Sequence, residues 1–123
     1  MKDINDIIRA QYYTAYYPKT KPSNAQLLTS NKTGICWYRG YFKDDLTQDV
    51  VELGLDKFKA KAIVVGHTLQ SKVKKLHQGK VIGIDVHHPK DYHKNWPNQD
   101  SEGLLISNGN YYRVFADGET SVL

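Results

Sequence analysis

The fold is indicated best by the stretch AIVVGHT at Ala62–Thr68 of this 123-residue chain. Four consecutive apolar residues without alternation are typical of a strand that is buried on both faces, as in sheets covered by helices. The run then stops at a glycine and a histidine. Because α/β sheets place their ligand sites beyond the carboxyl ends of strands, His67 is a candidate metal ligand or catalytic base. The other interpretation is a structural histidine that makes a hydrogen bond.

A second apolar run, VIGID at Val81–Asp85, has the same character and also ends in a polar residue. The turn Gln78-Gly79 precedes it and could pair it with Lys72–Leu76 as a hairpin. Asp85 begins a D-x-H step that ends at His87, so a carboxylate and an imidazole follow this strand. They are candidate metal ligands, or structural residues behind the site.

Helical and strand patterns surround these two runs. Apolar spacing, capping residues and β-branched or aromatic content predict three helical segments, one more strand and a carboxyl-terminal hairpin: Asp3–Tyr16, Ala25–Leu28, Thr47–Lys59, Ile35–Tyr38 and Leu104–Val114. The hairpin carries Asn108-Gly109 at its turn, the strongest two-residue hairpin signal. Residues 86–101 have no periodicity and are predicted to form a long loop. The fold class is α/β or α+β, with a mixed sheet, flanking helices and a carboxyl-terminal β-hairpin.

Composition bounds the function. The net charge is +4 and Cys36 is the only cysteine, which excludes an internal disulfide and a thiolate zinc site and favours a cytoplasmic setting. No apolar run approaches the roughly 18 residues that span a bilayer, so no membrane association is expected. The basic stretch Lys72–Lys80 lacks any nucleic-acid-binding motif and is better interpreted as a solvated hairpin than as a nucleic-acid site.

Several segments in this order resemble a known family. They are WYRGYF, IVVGHT, GKVIGID, GLLI and YRV, at Trp37–Phe42, Ile63–Thr68, Gly79–Asp85, Gly103–Ile106 and Tyr112–Val114. Together they resemble the carboxyl-terminal half of calcineurin-like metallophosphoesterases, most closely the bacterial protein-phosphatase-like branch. The resemblance implies a partial metallophosphoesterase-type sheet, with residues 1–34 as an amino-terminal helix and connector and 35–123 as the carboxyl-terminal portion of that domain.

The resemblance also implies a function. Members of that family hydrolyse phosphoesters with two divalent metal ions, such as Mn, Fe, Zn or Mg, and His67 matches a family histidine that binds one of them. Arg39 matches an arginine available to bind the substrate phosphate, for which its planar fork is suited. Asp85 and His87 are possible additional metal ligands. The family motifs D-x-H, G-D-x-x-D-R-G and G-N-H-E are absent upstream of His67.

The sequence therefore favours the carboxyl-terminal fragment of a metal-dependent phosphatase. We expect this fragment to be inactive alone, to contain no catalytic residue of its own and to bind no metal tightly. Its expected partners are a phosphorylated substrate and either a second copy or a complementing amino-terminal half, because unpaired strand edges favour further pairing. The alternative is a non-catalytic protein-interaction module.

Overall fold

The computed structural model describes residues 2–11, 23–43, 46–87 and 101–123. The chain divides into two compact units, Met1–Asp45 and Leu46–Leu123, which are described separately below. The boundary predicted between residues 34 and 35 marked where the family resemblance begins. It is a different kind of boundary from the one between compact units, and it stays a prediction. No helix among the described residues is long and apolar enough to cross a membrane.

Two helices, α1 (Lys2–Gln11) and α2 (Asn24–Thr29), lie in the first unit and contact each other. α1 has Asp3 in its first turn and Arg9 in its last turn, so both charges interact favourably with the helix dipole. α2 begins with a capping box, in which the Ser23 hydroxyl accepts from the Gln26 N–H and the Gln26 side chain accepts from the Ser23 N–H. Both predicted helical segments are confirmed as helices, and residues 12–16 of the first prediction lie outside the described residues.

The predicted strand at Ile35–Tyr38 is wrong. The backbone N–H groups of Trp37 and Tyr38 both donate to the carbonyl of Gly34 at 2.9 Å, so the segment turns instead of extending. A 3₁₀ helix, Gly40–Phe42, follows. β-branched and aromatic residues favour strands only where a neighbouring strand can pair with them, and here the N–H groups are satisfied locally.

The second unit begins with α3 (Gln48–Phe58), which confirms the predicted helix and its start after Thr47. Val51 and Leu55 lie four residues apart on one face and are buried. The helix ends at Lys59, whose left-handed backbone (φ 50°) returns its N–H to the carbonyls of Leu55 and Asp56.

A three-stranded mixed sheet follows, formed by β1 (Ile63–Val65), β2 (Lys74–Leu76) and β3 (Val81–Gly83). The strand order is β1-β3-β2, with β1 parallel and β2 antiparallel to the central β3. All three residues of β3 are buried. The hairpin predicted between β2 and β3 is confirmed. The expectation that β1 is buried on both faces is wrong, since β1 lies at the edge of the described sheet and Val64 is 44% exposed.

The chain ends in a three-stranded antiparallel sheet, β4 (Glu102–Ser107), β5 (Asn110–Phe115) and β6 (Thr120–Val122). The turn between β4 and β5 has positive φ at both Asn108 (50°) and Gly109 (77°), as a type I′ hairpin requires. The predicted hairpin is confirmed, and so is the predicted α/β class with a mixed sheet. The predicted loop at 86–101 lies outside the described residues except at its two ends.

Candidate functional site

The carboxyl ends of β1 and β3 meet at one edge of the first sheet because these two strands are parallel. The segment after β1 runs beside the segment after β3. The Ile84 N–H donates to the carbonyl of Val65 at 3.0 Å, and the Gln70 N–H donates to the carbonyl of Asp85 at 2.7 Å. Two residues predicted separately from sequence, His67 and Asp85, therefore follow adjacent strands at the same edge, where α/β sheets bind ligands.

The turn that carries His67 is held in an unusual conformation. His67 is exposed and has a φ of 57°, in the left-handed region that is uncommon for residues with a Cβ. Gln70, which is 8% exposed, holds the following residues: its side-chain nitrogen donates to the carbonyls of Thr68 (3.2 Å) and Leu69 (2.9 Å). Sequence analysis missed Gln70, because no motif or periodicity marks a glutamine that bonds to its own turn.

Three more polar groups lie in the same two segments. Asp85 is half-buried and His87 is 3% exposed. The hydroxyl of Thr68 is buried and has no hydrogen-bond partner among the described residues. Buried hydroxyls in proteins almost always bond to protein, water or a ligand, so the Thr68 hydroxyl marks a polar position at this edge.

A metal site at this edge would need several ligating side chains close together. Within residues 2–11, 23–43, 46–87 and 101–123, no three side chains of His, Cys, Asp or Glu come close enough together to hold a metal ion. His67, Asp85 and His87 therefore do not form a three-ligand set. A structural zinc site takes about four ligands, more than these residues bring together. Metal binding by His67, with Asp85 or His87 as a further ligand, stays a prediction.

A buried ion pair anchors the far end of the same loop. The Glu102 carboxylate accepts from the Val73 N–H at 2.8 Å and pairs with the Arg113 Nε at 2.9 Å. Arg113 also donates to the Val73 carbonyl through Nε (3.2 Å) and Nη2 (2.9 Å). The backbone N–H and the backbone carbonyl of Val73 are thus both bonded to side chains of the second sheet. The loop that carries His67 is thus held at two later positions, Gln70 and Val73.

Arg39, the predicted phosphate-binding residue, lies in the first unit, just before the 3₁₀ helix. Its side chain is half-buried and one guanidinium nitrogen, Nη1, donates to the carbonyl of Tyr38 at 3.3 Å. The guanidinium carbon lies 5.8 Å from the centre of the Trp37 ring, which is within the about 6 Å of a cation–π contact. A guanidinium has five N–H donors, and among the described residues the bond to Tyr38 uses one of them.

Tightly packed aromatic rings support this turn. Tyr38 and Tyr41 meet edge to face, with ring centres 5.0 Å apart. Gly40 is buried, and a Cβ at this position would collide with the Tyr38 ring and hydroxyl. Burial, together with the neighbouring Tyr38, raises the pKa of Tyr41 above its usual value of 10.0. The residues W-Y-R-G-Y at Trp37–Tyr41 therefore fix the backbone conformation on which Arg39 is carried.

Comparison with known proteins gives matches among solved structures. No protein-family model matches the chain, and no curated protein matches it either. A cold-active protein-tyrosine phosphatase of a psychrophile Shewanella species is 30% identical, with a TM-score of 0.76. A mutant of a cold-active protein tyrosine phosphatase and another structure with that description are each 29% identical, with TM-scores of 0.76 and 0.72. Each match covers 99% of this chain and 34% of the other.

These matches correct the family expected from sequence. The solved structures that resemble the chain are described as protein tyrosine phosphatases, and this finding replaces the expectation of a calcineurin-like metallophosphoesterase. The chain spans about a third of the length of the structures it matches. Over almost all of its own length, however, it is similar to proteins described as phosphatases.

Proposed function

We propose that this chain is part of a phosphatase that acts on phosphorylated protein, with phosphotyrosine as the substrate side chain. The observation that carries the proposal is the likeness to cold-active protein tyrosine phosphatases, at 29–30% identity along 99% of the chain. Identity at this level over the whole chain extends to side chains, so it supports a shared chemistry beyond a shared backbone. The phosphorylated substrate expected from the sequence is retained in this proposal.

Arg39 is the residue that we propose to bind the phosphate. Its charge is permanent, and its planar fork can donate to two phosphate oxygens at once. The half-buried position and the contact with Trp37 restrict the side chain before a ligand arrives, which reduces the entropy lost on binding. These are the properties expected of a residue that binds a phosphoryl group and stabilises its negative charge.

The edge at the ends of β1 and β3 is the second part of the proposal. His67 is exposed at this edge, which supports a role in contacting a ligand. Phosphoryl transfer is promoted mainly by groups that position the reactants and neutralise charge, and a histidine side chain can serve in this way. Metal binding by His67 and inactivity of the chain alone stay predictions within this proposal.

A non-catalytic interaction module remains the second candidate. The last sheet exposes several apolar side chains, among them Leu105 (42%), Ile106 (55%) and Val122 (75%), as binding surfaces for other proteins do. The homodimer and the complementing amino-terminal half expected from sequence belong to this candidate as predictions. A chain that binds protein without any preference for phosphate would favour it over the phosphatase.

The proposal is tested by adding a phosphotyrosine peptide to the isotope-labelled chain and recording amide shifts by NMR. We expect shifts centred on Arg39 that saturate with the phosphorylated peptide and not with the same peptide lacking phosphate. Arg39→Gln should abolish them, while Arg9→Gln, an exposed arginine in the same unit, should leave them unchanged. Equal shifts with both peptides, or none, would contradict the proposal. Release of phosphate, measured in the same samples, reports turnover.

A further inference from the structure

We propose that Trp37 determines specificity for aryl phosphates, by receiving the phenyl ring of a phosphotyrosine whose phosphate Arg39 holds. This inference rests on the proposed function, because Arg39 must first bind the phosphate. It adds a residue that selects the substrate by its ring instead of by its charge.

Trp37 is placed beside Arg39 by the local backbone. Its N–H donates to the Gly34 carbonyl at 2.9 Å, so the turn fixes where the indole starts. Trp37 is 45% exposed, although tryptophan is highly buried on average in proteins. A turn that holds an exposed tryptophan directly beside a half-buried arginine offers a flat apolar surface and a cation to one ligand.

The distance between the two groups suits a phosphorylated tyrosine. The guanidinium carbon of Arg39 lies 5.8 Å from the centre of the Trp37 ring. Aromatic rings interact favourably with centres about 4.5 to 7 Å apart, stacked with an offset or edge to face. In phosphotyrosine a single oxygen joins ring and phosphate, so a phosphate bound by the guanidinium leaves the phenyl ring close enough to turn onto the indole.

Phosphoserine cannot make the second contact. Its phosphate can bind the same guanidinium, but its side chain has no ring to place against the indole. The difference in affinity between phosphotyrosine and phosphoserine should therefore come from Trp37. The affinity that both share should come from Arg39. Inorganic phosphate, which has no organic part at all, reports the contribution of Arg39 alone.

The test compares phenyl phosphate with inorganic phosphate on the 123-residue chain by calorimetry. We expect Trp37→Ala to weaken the binding of phenyl phosphate about two- to tenfold, the range that one aromatic pair provides. The affinity for inorganic phosphate should stay unchanged. Trp37→Phe should keep most of the preference because it keeps a ring. Trp37→Leu serves in place of Trp37→Ala if the alanine variant does not fold, since leucine is apolar without being aromatic.

A second readout uses fluorescence. In a Trp96→Phe background Trp37 is the only tryptophan, so phenyl phosphate should change its emission and inorganic phosphate should change it much less. If Arg39→Gln leaves phosphate binding unaffected, or if the unaltered chain binds no phosphate, the proposed function fails. If Arg39 binds phosphate but Trp37→Ala weakens both ligands equally, or neither, the role of Trp37 is refuted while the proposed function stands.

Discussion

Replacing Glu102 by alanine should be among the most destabilising substitutions in the second unit. Its side chain is 4% exposed and that of its partner Arg113 is 20% exposed, so removal leaves a largely buried positive charge unpaired. The N–H of Val73, a residue with 0% exposure, also loses its acceptor. Breaking a buried pair by removing one partner costs about 3 to 5 kcal/mol, which bounds the loss that we expect in the free energy of unfolding.

Urea denaturation followed by circular dichroism measures this loss, with Glu119→Ala as the matched control. Glu119 is an exposed glutamate next to the same sheet, and its replacement should change the free energy of unfolding by less than about 0.5 kcal/mol. Glu102→Gln keeps an acceptor for Val73 and should fall between the two. Native-state exchange of the Val73 amide should accelerate in Glu102→Ala. A cost below about 1 kcal/mol, or additive effects of Glu102→Ala and Arg113→Ala, would refute the reasoning.

Three further outcomes are expected. Gln70→Ala removes two side-chain hydrogen bonds to the His67 turn and should destabilise the chain by about 1 to 2 kcal/mol, with amide shifts concentrated in that turn. Unchanged stability and unchanged shifts in the turn would contradict this role of the Gln70 side chain. Gly40→Ala should destabilise by about 1 to 3 kcal/mol because its Cβ collides with Tyr38, whereas Gly54→Ala, in helix α3 with nothing within 4 Å, should stabilise by about 0.5 to 1 kcal/mol; the same sign for both in urea denaturation would count against this packing. Because the pKa of Tyr41 is raised in the folded chain, the unfolded chain loses that proton first, so stability should fall as pH rises above 10.0. Tyr41→Phe should reduce that fall, and an unchanged alkaline stability profile would contradict the assignment.

Local patterns predicted the parts of the fold that local interactions determine. Asn108-Gly109 sets the hairpin between β4 and β5 because both residues accept positive φ. The position of Thr47 before a run with apolar residues predicted helix α3, although of the four residues assigned to its apolar face (Val50, Val51, Leu53 and Phe58) only Val51 is buried. The segment Ile35–Tyr38 was mistaken for a strand because composition reports propensity and does not report whether a partner strand exists.

Of the candidate site, the sequence predicted the individual residues His67 and Asp85 but not how they are brought together. His67 and Asp85 each stood out as a polar residue after an apolar run, and the parallel pairing that brings them to one edge is a tertiary fact. Gln70 and the pair Glu102 and Arg113 act through bonds to backbone groups, and the ion pair reaches across 29 and 40 positions of the chain to Val73. No pattern in a single sequence marks such bonds, so these residues could be found only in the structure.

The parallel pairing of β1 with β3 has a consequence for the order of folding. β2 lies between these strands in sequence, so β2 and β3 can form a hairpin locally, as can β4, β5 and β6, before β1 is in place. Closing the longer loop costs more chain entropy and delays contacts between distant residues. The edge that carries His67 and Asp85 should thus gain amide protection late in refolding and lose it early under mild denaturation. The proposed site is then the last part of the first sheet to be assembled by the folding chain.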